Sequence, residues 1–524
     1  MDSSKIKALI IVVMALFFAL YLGIAAATAQ LEAIAWVGGG IFLVICLLLG
    51  RNIWILLPGF AVCEGFFNVL PGNPEPWFFA GMVIACMYAI RLLTKREGFV
   101  WRWSLLDAAV LLHVIWLVVV WIRNPSGFLI MGGDGGGGKA YLLHMAAVGG
   151  YACLSVTNPT VSAVKFAGIL RIATGLFDGI ILLLQGVSTK FAELGLRSYV
   201  SPTFTETSLG KDIDLSESRL VGGRYLAYNL LTPAFCLVRP IRCLIPVYIL
   251  PFLATVAGAG LMLLSGFRSG IAYFVVLFIV ASFVRRKPLD AVICCVLGSF
   301  ALVFMIGLGQ VDKMPFGVQR ALIPLGVNVK SEAVLQSAER SSDDRFEMWK
   351  IVLTQEGYIR NKLLGDGFAL SRAEHNALID SQLGFRHMSF IDRSLATGNY
   401  HGFHVSVIKY TGVVGLIIAI FLMGVVFKTS LNLIKAYRHT ELFPYVLYFC
   451  LPLMLYLPWS LLVYGQYTAE FPKFIVMAGM VKLLENLMLQ KPVEARPAPV
   501  ERKLNEPGTP ARQGLATARS LTPG

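Results

Sequence analysis

Charged residues are scarce in this chain, and that scarcity decides its class. Only 15% of its 524 residues are Asp, Glu, Lys or Arg, whereas 56% are hydrophobic, and the mean hydropathy is +0.70. A soluble protein of this length cannot bury so much apolar surface in a core, so lipid must be its solvent. The composition therefore predicts an all-α, polytopic membrane protein and excludes an ordinary soluble enzyme.

The chain also lacks the cysteine pattern of a disulfide-rich or metal-binding protein. Its nine cysteines lie mainly in or at the ends of apolar runs, and the longest polar segment, residues 309–400, contains none. This distribution indicates small packing residues, with no disulfide framework and no metal-ligand spacing. We expect no cofactor.

Hydropathy predicts about fourteen membrane spans, with twelve or thirteen as alternatives. They lie near 7–27, 33–49, 53–70, 77–94, 105–122, 140–156, 163–185, 225–238, 243–264, 269–284, 289–308, 402–427, 442–463 and 468–488. The first is too long for the core of a signal peptide and is interpreted as a retained span. The predicted domains are a membrane region at 1–308 with an outer loop at 186–223, a periplasmic loop at 309–400 (the insert), a membrane region at 401–489 and a tail at 490–524.

Basic residues set the predicted orientation. With the amino terminus inside, the even-numbered connections carry clusters such as Lys95-Arg96 and Arg285-Arg286-Lys287, as the positive-inside rule requires. The outer loop, the turn Ser265–Gly270 and the insert then share the outer face.

The tail after Gln490 is rich in Pro, Ala, Arg and Lys, so we expect it to be disordered, cytoplasmic and in weak contact with anionic lipid head groups. Inner-face anchors and this tail explain most of the net charge of +14, which is therefore no argument for nucleic acid.

One glycine-rich run imitates a nucleotide-binding loop. Residues Gly133–Lys139 have the spacing of a P-loop, but Ala140 replaces the Ser or Thr that would hold magnesium, and no strand precedes the run. It is interpreted as a flexible turn between spans, with phosphate contact by its backbone amides as an unsupported alternative.

The insert contains a predicted amphipathic helix and ends beside two histidines. The run Ser341–Asp344 is expected to start the helix, which carries Arg345 and, on one face, Phe346 and Trp349. At the end of the insert, His401-Gly402-Phe403-His404 opens the next span. A histidine at a membrane surface, beside a large mixed-charge loop, indicates chemistry or recognition there.

Taken in order, these elements resemble the O-antigen ligase and polymerase family of bacterial envelope glycosyltransferases. The resemblance covers about residues 219 to 416. The segment Arg219–Arg224 is similar to the family's arginine-glycine segment, Ser265–Gly270 to its serine-arginine-glycine turn, and Arg345 with Trp349 to its loop arginine helix.

The family's closing motif is a histidine, then Asn, Ser or Gln, then nine residues, then Gly-x-x-Gly. His401, Gly412 and Gly415 fit this spacing, whereas Gly402 occupies the position of the amide or hydroxyl residue.

The resemblance implies an enzyme of the bacterial inner membrane with its active site at the periplasmic face. Such enzymes transfer a glycan from a polyprenyl (undecaprenyl) diphosphate carrier to a hydroxyl of an acceptor sugar. The acceptor is the lipid A core for a ligase and another lipid-linked repeat unit for a polymerase, while protein O-glycosylation is a related third use. The other expected partner is membrane lipid.

The chemistry of that reaction assigns roles to particular residues. The leaving diphosphate needs fixed positive partners, and the planar guanidinium fork binds phosphate oxygens bidentately. A general base must take the proton of the acceptor hydroxyl, and an imidazole with a pKa of about 6.5 is suited to this near neutral pH. The predicted catalytic residues are His401, Arg268 and Arg345, and the predicted substrate-binding residues are Arg219, Arg224, His404 and Trp349.

Acidic residues are nearly absent from the first outer loop, where only Glu32 is found. No obvious magnesium site results, so we expect a metal-independent, inverting transfer. Asp343 and Asp344 are the only adjacent outer carboxylates, and their first interpretation is the helix start.

Each site residue also has an ordinary structural interpretation. Arg268 could anchor its helix among lipid head groups, His401 could be an interface residue with His404 as the real base, and Trp349 could be a packing residue. Arg219 and Arg224 could form salt bridges with Glu206, Asp212, Asp214 or Glu217. The functional alternatives are a lipid-linked glycan transporter, for which Asp178 and Glu64 are the main mid-span charges, and a non-catalytic envelope assembly protein.

Overall fold

Helices dominate the structure, a computed structural model that describes residues 39–40, 42, 44–68, 73–94, 101–125, 137–188, 199–200, 219–307, 311–323, 326–355, 357–369 and 390–490. In chain order the helices are α1 (Val44–Phe60), α2 (Pro76–Leu93), α3 (Leu105–Arg123), α4 (Gly138–Ser155), α5 (Val161–Val187), α6 (Gly223–Leu237), α7 (Ile249–Ser265), α8 (Arg268–Val284), α9 (Pro288–Gly307), α10 (Phe316–Leu322), α11 (Glu332–Thr354), α12 (Phe390–Thr397), α13 (Phe403–Ala436), α14 (Phe443–Leu462) and α15 (Glu470–Gln490). The strands β1 (Phe66–Phe67) and β2 (Tyr199–Val200) form one short antiparallel pair.

The chain is a helical membrane protein, as its composition predicts. Of the helices in the described ranges, α2, α3, α5, α13 and α14 are long and apolar enough to cross a membrane, and α1, α7, α8 and most of α9 are apolar but shorter. Large apolar side chains such as Leu250 and Phe300 are exposed on these helices. They give the bundle the outer surface that lipid solvates.

Helices α4, α6 and α15 were also predicted as spans, and they lie among the other helices. Most residues of α15 are buried, because it packs against α4, α13 and α14. Shielding by protein lets α15 carry charge, as in the ion pair of Lys482 Nζ with Asp107 Oδ2 at 3.0 Å, where both side chains are 1% exposed. A helix that lipid never touches does not need an apolar surface.

The predicted boundary between the second and third spans, at residues 49–53, coincides with a change in the helix. The apolar segment Val44–Phe60 passes there through a 3₁₀ turn at Gly50–Ile55, and Gly50 has a left-handed φ of 49°. The chain becomes extended at β1. The predicted span at 7–27 and the tail lie outside the described residues.

The predicted start of the insert helix at Ser341–Asp344 is wrong. Helix α11 begins at Glu332 and runs through Asp343 and Asp344 as interior residues. The longer helix is favoured because Val334 and Ala338 are buried on the turns that precede the apolar face identified in the sequence. Burial of that face outweighs the cap signal of the serine and aspartate residues.

The helices alternate in direction, so their ends meet in two groups. At one end, the site end, α6, α8, α13 and α15 begin while α3, α7 and α14 finish. Contacts at the opposite end include Arg438 Nη2 with the carbonyl of Val284 at 3.1 Å and Lys165 Nζ with Glu441 Oε2 at 2.8 Å.

Helix α13 is interrupted at Gly412, and the insert enters the interruption. Gly412 has a φ of 74°, and a side chain there would meet a carbonyl oxygen of the insert at 2.3 Å. The backbone N–H of Asp366 donates to the carbonyl of Lys409 at 3.0 Å, and that of Val413 donates to the carbonyl of Lys362 at 2.9 Å. The insert thus satisfies backbone groups that a broken helix leaves free.

Candidate functional site

Five arginines converge at the site end. Arg219 precedes α6, Arg224 lies in its first turn, Arg268 opens α8, Arg320 lies on α10, and Arg345 lies on α11. We call them the arginine cluster. Three members, Arg219, Arg224 and Arg268, come from the membrane region and two, Arg320 and Arg345, come from the insert, so the complete cluster forms only when both parts are assembled. The structure brings together all four arginines that the sequence predicts and adds Arg320.

Mutual repulsion shows that the members of the cluster are close. Burial, followed by the charges of Arg320, Arg224, Arg345 and Arg268, lowers the pKa of Arg219 to about 9. Burial, Arg268 and Arg345 lower the pKa of Arg320 to about 10. Both groups nevertheless remain protonated at neutral pH, so the cluster keeps a high positive charge.

An aromatic ring holds two members of the cluster without neutralising them. The guanidinium carbon of Arg219 lies 4.1 Å from the centre of the Phe267 ring, and that of Arg224 lies 4.5 Å from it. Arg219 Nε also donates to the carbonyl of Ser265 at 3.1 Å. The negative face of an aromatic ring attracts a cation but leaves its charge available to a ligand.

The other members of the cluster bind helix α11. Arg268 Nη2 donates to the carbonyl of Ala338 at 2.9 Å, and Arg320 Nη2 donates to that of Ser337 at 3.1 Å. Arg345 lies on α11 itself, and its buried Nε has no hydrogen-bond partner in the described part of the chain. Each of these bonds uses one N–H of a guanidinium, so others remain for an anion.

No cluster arginine forms an ion pair with a carboxylate within the ranges that the structure describes, although Glu339 and Asp343 line a pocket together with Arg268. The ion pairs there involve other residues. The acidic residues predicted as salt-bridge partners of Arg219 and Arg224, namely Glu206, Asp212, Asp214 and Glu217, lie outside the described residues. Guanidinium groups this close repel one another, and a bound anion would relieve the repulsion.

His401 faces the cluster from the loop between α12 and α13. Its ring centroid lies 5.7 Å from that of Tyr464, in the link between α14 and α15. Burial, followed by the charges of Arg345 and Arg224, lowers the pKa of His401 to about 4, below the value of about 6.5 that the sequence alone suggests. The imidazole is therefore neutral at pH 7, and a ring nitrogen has a lone pair for a proton.

His404 and Trp349 contact each other instead of the cluster. Their ring centroids are 4.8 Å apart in an edge-to-face arrangement, and Trp349 Nε1 donates to the carbonyl of Tyr400 at 2.8 Å. The indole therefore supports the backbone beside His401. The structure favours the packing interpretation of Trp349, and it places His401, not His404, against the arginines.

Gly402, the departure from the family motif, has a steric cause. A Cβ at this position would lie 2.7 Å from Trp349 Nε1 and 2.8 Å from its Cε2. Real Cβ contacts essentially never come so close, so Asn, Ser or Gln has no room here while the indole occupies this position.

Sequence reasoning missed Arg320 and Tyr464. Arg320 lies in a polar stretch without a recognisable motif, although it is only 5% exposed. Tyr464 follows α14 directly, and the short polar run Tyr464-Gly465-Gln466 between two apolar helices is the signal that could have indicated it.

Comparison with known protein families finds no match to this chain. No curated protein shows significant sequence similarity to it either.

Proposed function

We propose that this protein transfers a glycan from a polyprenyl diphosphate carrier to a hydroxyl of an acceptor sugar, in the manner of an O-antigen ligase. The observation that carries the proposal is the arginine cluster beside a neutral histidine. Arginines without ion-pair partners among the described residues fit a diphosphate. The neutral imidazole next to them has a lone pair for a proton; its pKa of about 4 makes it a weak base, and the negative charge of a bound diphosphate would raise that pKa.

In the proposed reaction, His401 takes the proton of the acceptor hydroxyl. The oxygen attacks the anomeric carbon of the donor sugar, the bond from that carbon to the diphosphate oxygen breaks, and the diphosphate leaves with the bonding electrons. Attack opposite to the leaving group inverts the anomeric configuration. Arg268 and Arg345 stabilise the charge that develops on the leaving group, and Arg219, Arg224 and Arg320 add to the positive potential.

The arginines make the proposed transfer independent of a metal ion. A diphosphate leaving group is commonly stabilised by magnesium, and the cluster supplies comparable fixed charge. The test is transfer measured with a chelator and with added magnesium. Loss of transfer with chelator and its return with magnesium would contradict this part of the proposal and direct attention to Asp343 and Asp344.

The proposed location is the periplasmic face of a bacterial inner membrane. Basic residues that the positive-inside rule assigns to the cytoplasm, such as Arg285 and Arg438, lie at the end of the bundle opposite to the cluster. This arrangement supports an outer position for the cluster, where glycans on lipid carriers meet their acceptors.

A lipid-linked glycan transporter is the alternative from another class. Of its two candidate charges, Asp178 accepts hydrogen bonds from the backbone N–H of Glu64 at 3.1 Å and of Gly65 at 3.4 Å, and from Tyr199 Oη. Glu64 Oε2 lies 3.3 Å from Lys473 Nζ. Both carboxylates thus have partners within the fold, which favours structural roles over a transport pathway.

The decisive experiment uses purified protein in lipid with a lipid-linked glycan donor and a sugar acceptor. We expect transfer that is lost in His401→Ala and Arg268→Ala. Transport of the donor that continues in both variants, without transfer, would support the carrier instead.

Ligase and polymerase share this chemistry and differ in the acceptor. The surface glycan of a deletion strain distinguishes them: core without polymer indicates a ligase, and core with a single repeat indicates a polymerase.

A further inference from the structure

The backbone of His401 adopts a conformation that needs support. Its φ of 49° lies in the left-handed region, which residues with a side chain rarely occupy. Strained residues of this kind persist only where surrounding contacts hold them. The contacts around His401 therefore indicate which groups determine the direction of its imidazole.

One side-chain oxygen links His401 to the membrane helices. Asn399 Oδ1 accepts a hydrogen bond from the backbone N–H of His401 at 3.4 Å and a second from Gln466 Nε2. Asn399 thus forms a turn closed by its own side chain, and Gln466 fixes that side chain from the link between α14 and α15.

Gln466 is itself anchored to α15. Its backbone N–H donates to Glu470 Oε2 at 3.3 Å, and its carbonyl accepts from the backbone N–H of Glu470 at 3.2 Å. The first residue of α15 therefore holds both backbone groups of Gln466. A continuous set of hydrogen bonds runs from a buried membrane helix, through Gln466 and Asn399, to His401.

The insert holds the same loop from its other side through Trp349 and the carbonyl of Tyr400. The hydrogen bonds of Asn399 and Gln466 differ from this contact because they attach the loop to the membrane helices. Two independent attachments, one to α11 and one to α15, fix His401 between the two parts of the molecule that supply the arginines.

We propose that Asn399 and Gln466 are positioning residues, which hold His401 in its left-handed conformation with the imidazole directed at the arginine cluster. The role in catalysis rests on the function proposed above, whereas the role in positioning does not. Neither residue contacts the reacting atoms in this proposal; both act through the backbone of His401.

The first test measures how accessible the imidazole of His401 is to a chemical reagent, and it does not depend on activity. Diethyl pyrocarbonate modifies neutral, accessible imidazoles, and mass spectrometry of peptides gives the rate at His401 relative to the exposed His439. Gln466→Met and Asn399→Leu remove the hydrogen bonds, so we expect a rate at His401 about tenfold higher at pH 7.5, once the loop is released. Asn399→Asp keeps an acceptor oxygen and should behave like the wild type.

A matched control exists at the other end of the bundle, where Gln490 Nε2 donates to Asn158 Oδ1 at 2.5 Å. Gln490→Met breaks a bond of the same kind and should leave the His401 rate unchanged. A wild-type rate in Gln466→Met and Asn399→Leu would overturn the proposal. An equal increase in Gln490→Met would overturn it as well, because the effect would then be global.

The second test measures transfer. In Gln466→Met we expect kcat to fall by about 10- to 100-fold, because a general base misplaced by about 1 Å loses that much. The donor KM and the binding of inorganic pyrophosphate should change less than about twofold, because the arginines are untouched. An unchanged kcat, with or without a rise in KM, would overturn the proposal that Gln466 positions His401 for catalysis. If the wild type transfers no glycan while the modification rates change as expected, positioning stands and the proposed function fails.

Discussion

The arginines at the two ends of the helix bundle have different partners. At the opposite end, Arg239 donates to both carboxylate oxygens of Asp290, through Nε at 2.8 Å and Nη2 at 2.6 Å, and Lys165 pairs with Glu441. At the site end, aromatic rings and backbone carbonyls hold the arginine cluster, and no cluster member forms an ion pair with a carboxylate among the described residues; Lys473 at this end does pair, with Glu64 and Glu75. A paired arginine stabilises the fold, whereas a group of uncompensated arginines favours the binding of an anion.

The largest effect on transfer is expected from replacing His401, the histidine at the site end. His401→Ala removes the proposed base, so kcat should fall about 10²- to 10⁴-fold, measured as glycan transfer in lipid. The exposed His439, beyond the far end of α13, provides the control, because His439→Ala should leave transfer unchanged. Equal losses in the two variants would contradict a special role for the histidine at the site end.

Arginine substitutions compare the two ends directly. Arg268→Ala and Arg345→Ala should each lower kcat by about 10²- to 10³-fold, the usual effect of losing one group that stabilises developing charge. Lysine at either position should restore only part of the rate, because it lacks the bidentate fork. Arg239→Ala should lower the thermal midpoint and leave transfer per folded molecule unchanged. The comparison fails if Arg239→Ala impairs transfer as much as Arg268→Ala does.

The close approach of Gly402 to Trp349 predicts a smaller effect on stability. Gly402→Ala should lower the free energy of unfolding by about 1–3 kcal/mol, as overpacking does, and thermal denaturation in detergent measures it. At Gly298 a Cβ would meet nothing within 4 Å, so Gly298→Ala serves as the control. Trp349→Phe removes the nitrogen that a Cβ at 402 would meet, so the double variant should lose less stability than the sum of the single ones.

The smallest expected effect is a shift in the pH dependence of kcat/KM. The charged groups facing His401 are Arg345 on α11 and Arg224 on α6. The titratable but uncharged ring of Tyr464 faces it from the α14–α15 link. Because the pKa of free His401 is lowered to about 4, it stays neutral until the pH falls to that value, so the acid limb of kcat/KM should lie near pH 4. Arg345→Gln removes one cause of the shift and should move the limb to higher pH. A limb near pH 6.5 in the wild type would contradict the buried position of His401.

Much of the fold could be predicted because helices depend on local sequence. Apolar runs and basic flanks located α2, α3, α5, α8, α9 and α14 within about two residues, whereas α7 starts six residues later and α13 ends nine residues later than predicted. The start of α11 was predicted too late because Ser341–Asp344 carries a local start signal, but buried neighbours such as Val334 and Ala338 continue the helix through it. Tertiary burial decided this boundary against the local signal.

The candidate site was only half predictable. His401, Arg268 and Arg345 were found because the order and spacing of short motifs indicated them, and the structure brings them together. Arg320, Tyr464 and Gln466 carry no motif, and they join the site from two segments of the chain, the insert and the α14–α15 link. Gly412 was read as part of a spaced motif, and the structure gives it a physical role in admitting the insert into a broken helix.

The sequence by itself determined that lipid is the solvent and where most helices lie, because composition and periodicity are properties of neighbouring residues. Only the tertiary structure decided that the arginines lie together without ion-pair partners in its described part, that His401 is buried and neutral, and that a side chain at Gly402 would collide with the indole of Trp349. Those properties depend on distances between residues far apart in the chain, and packing alone sets such distances.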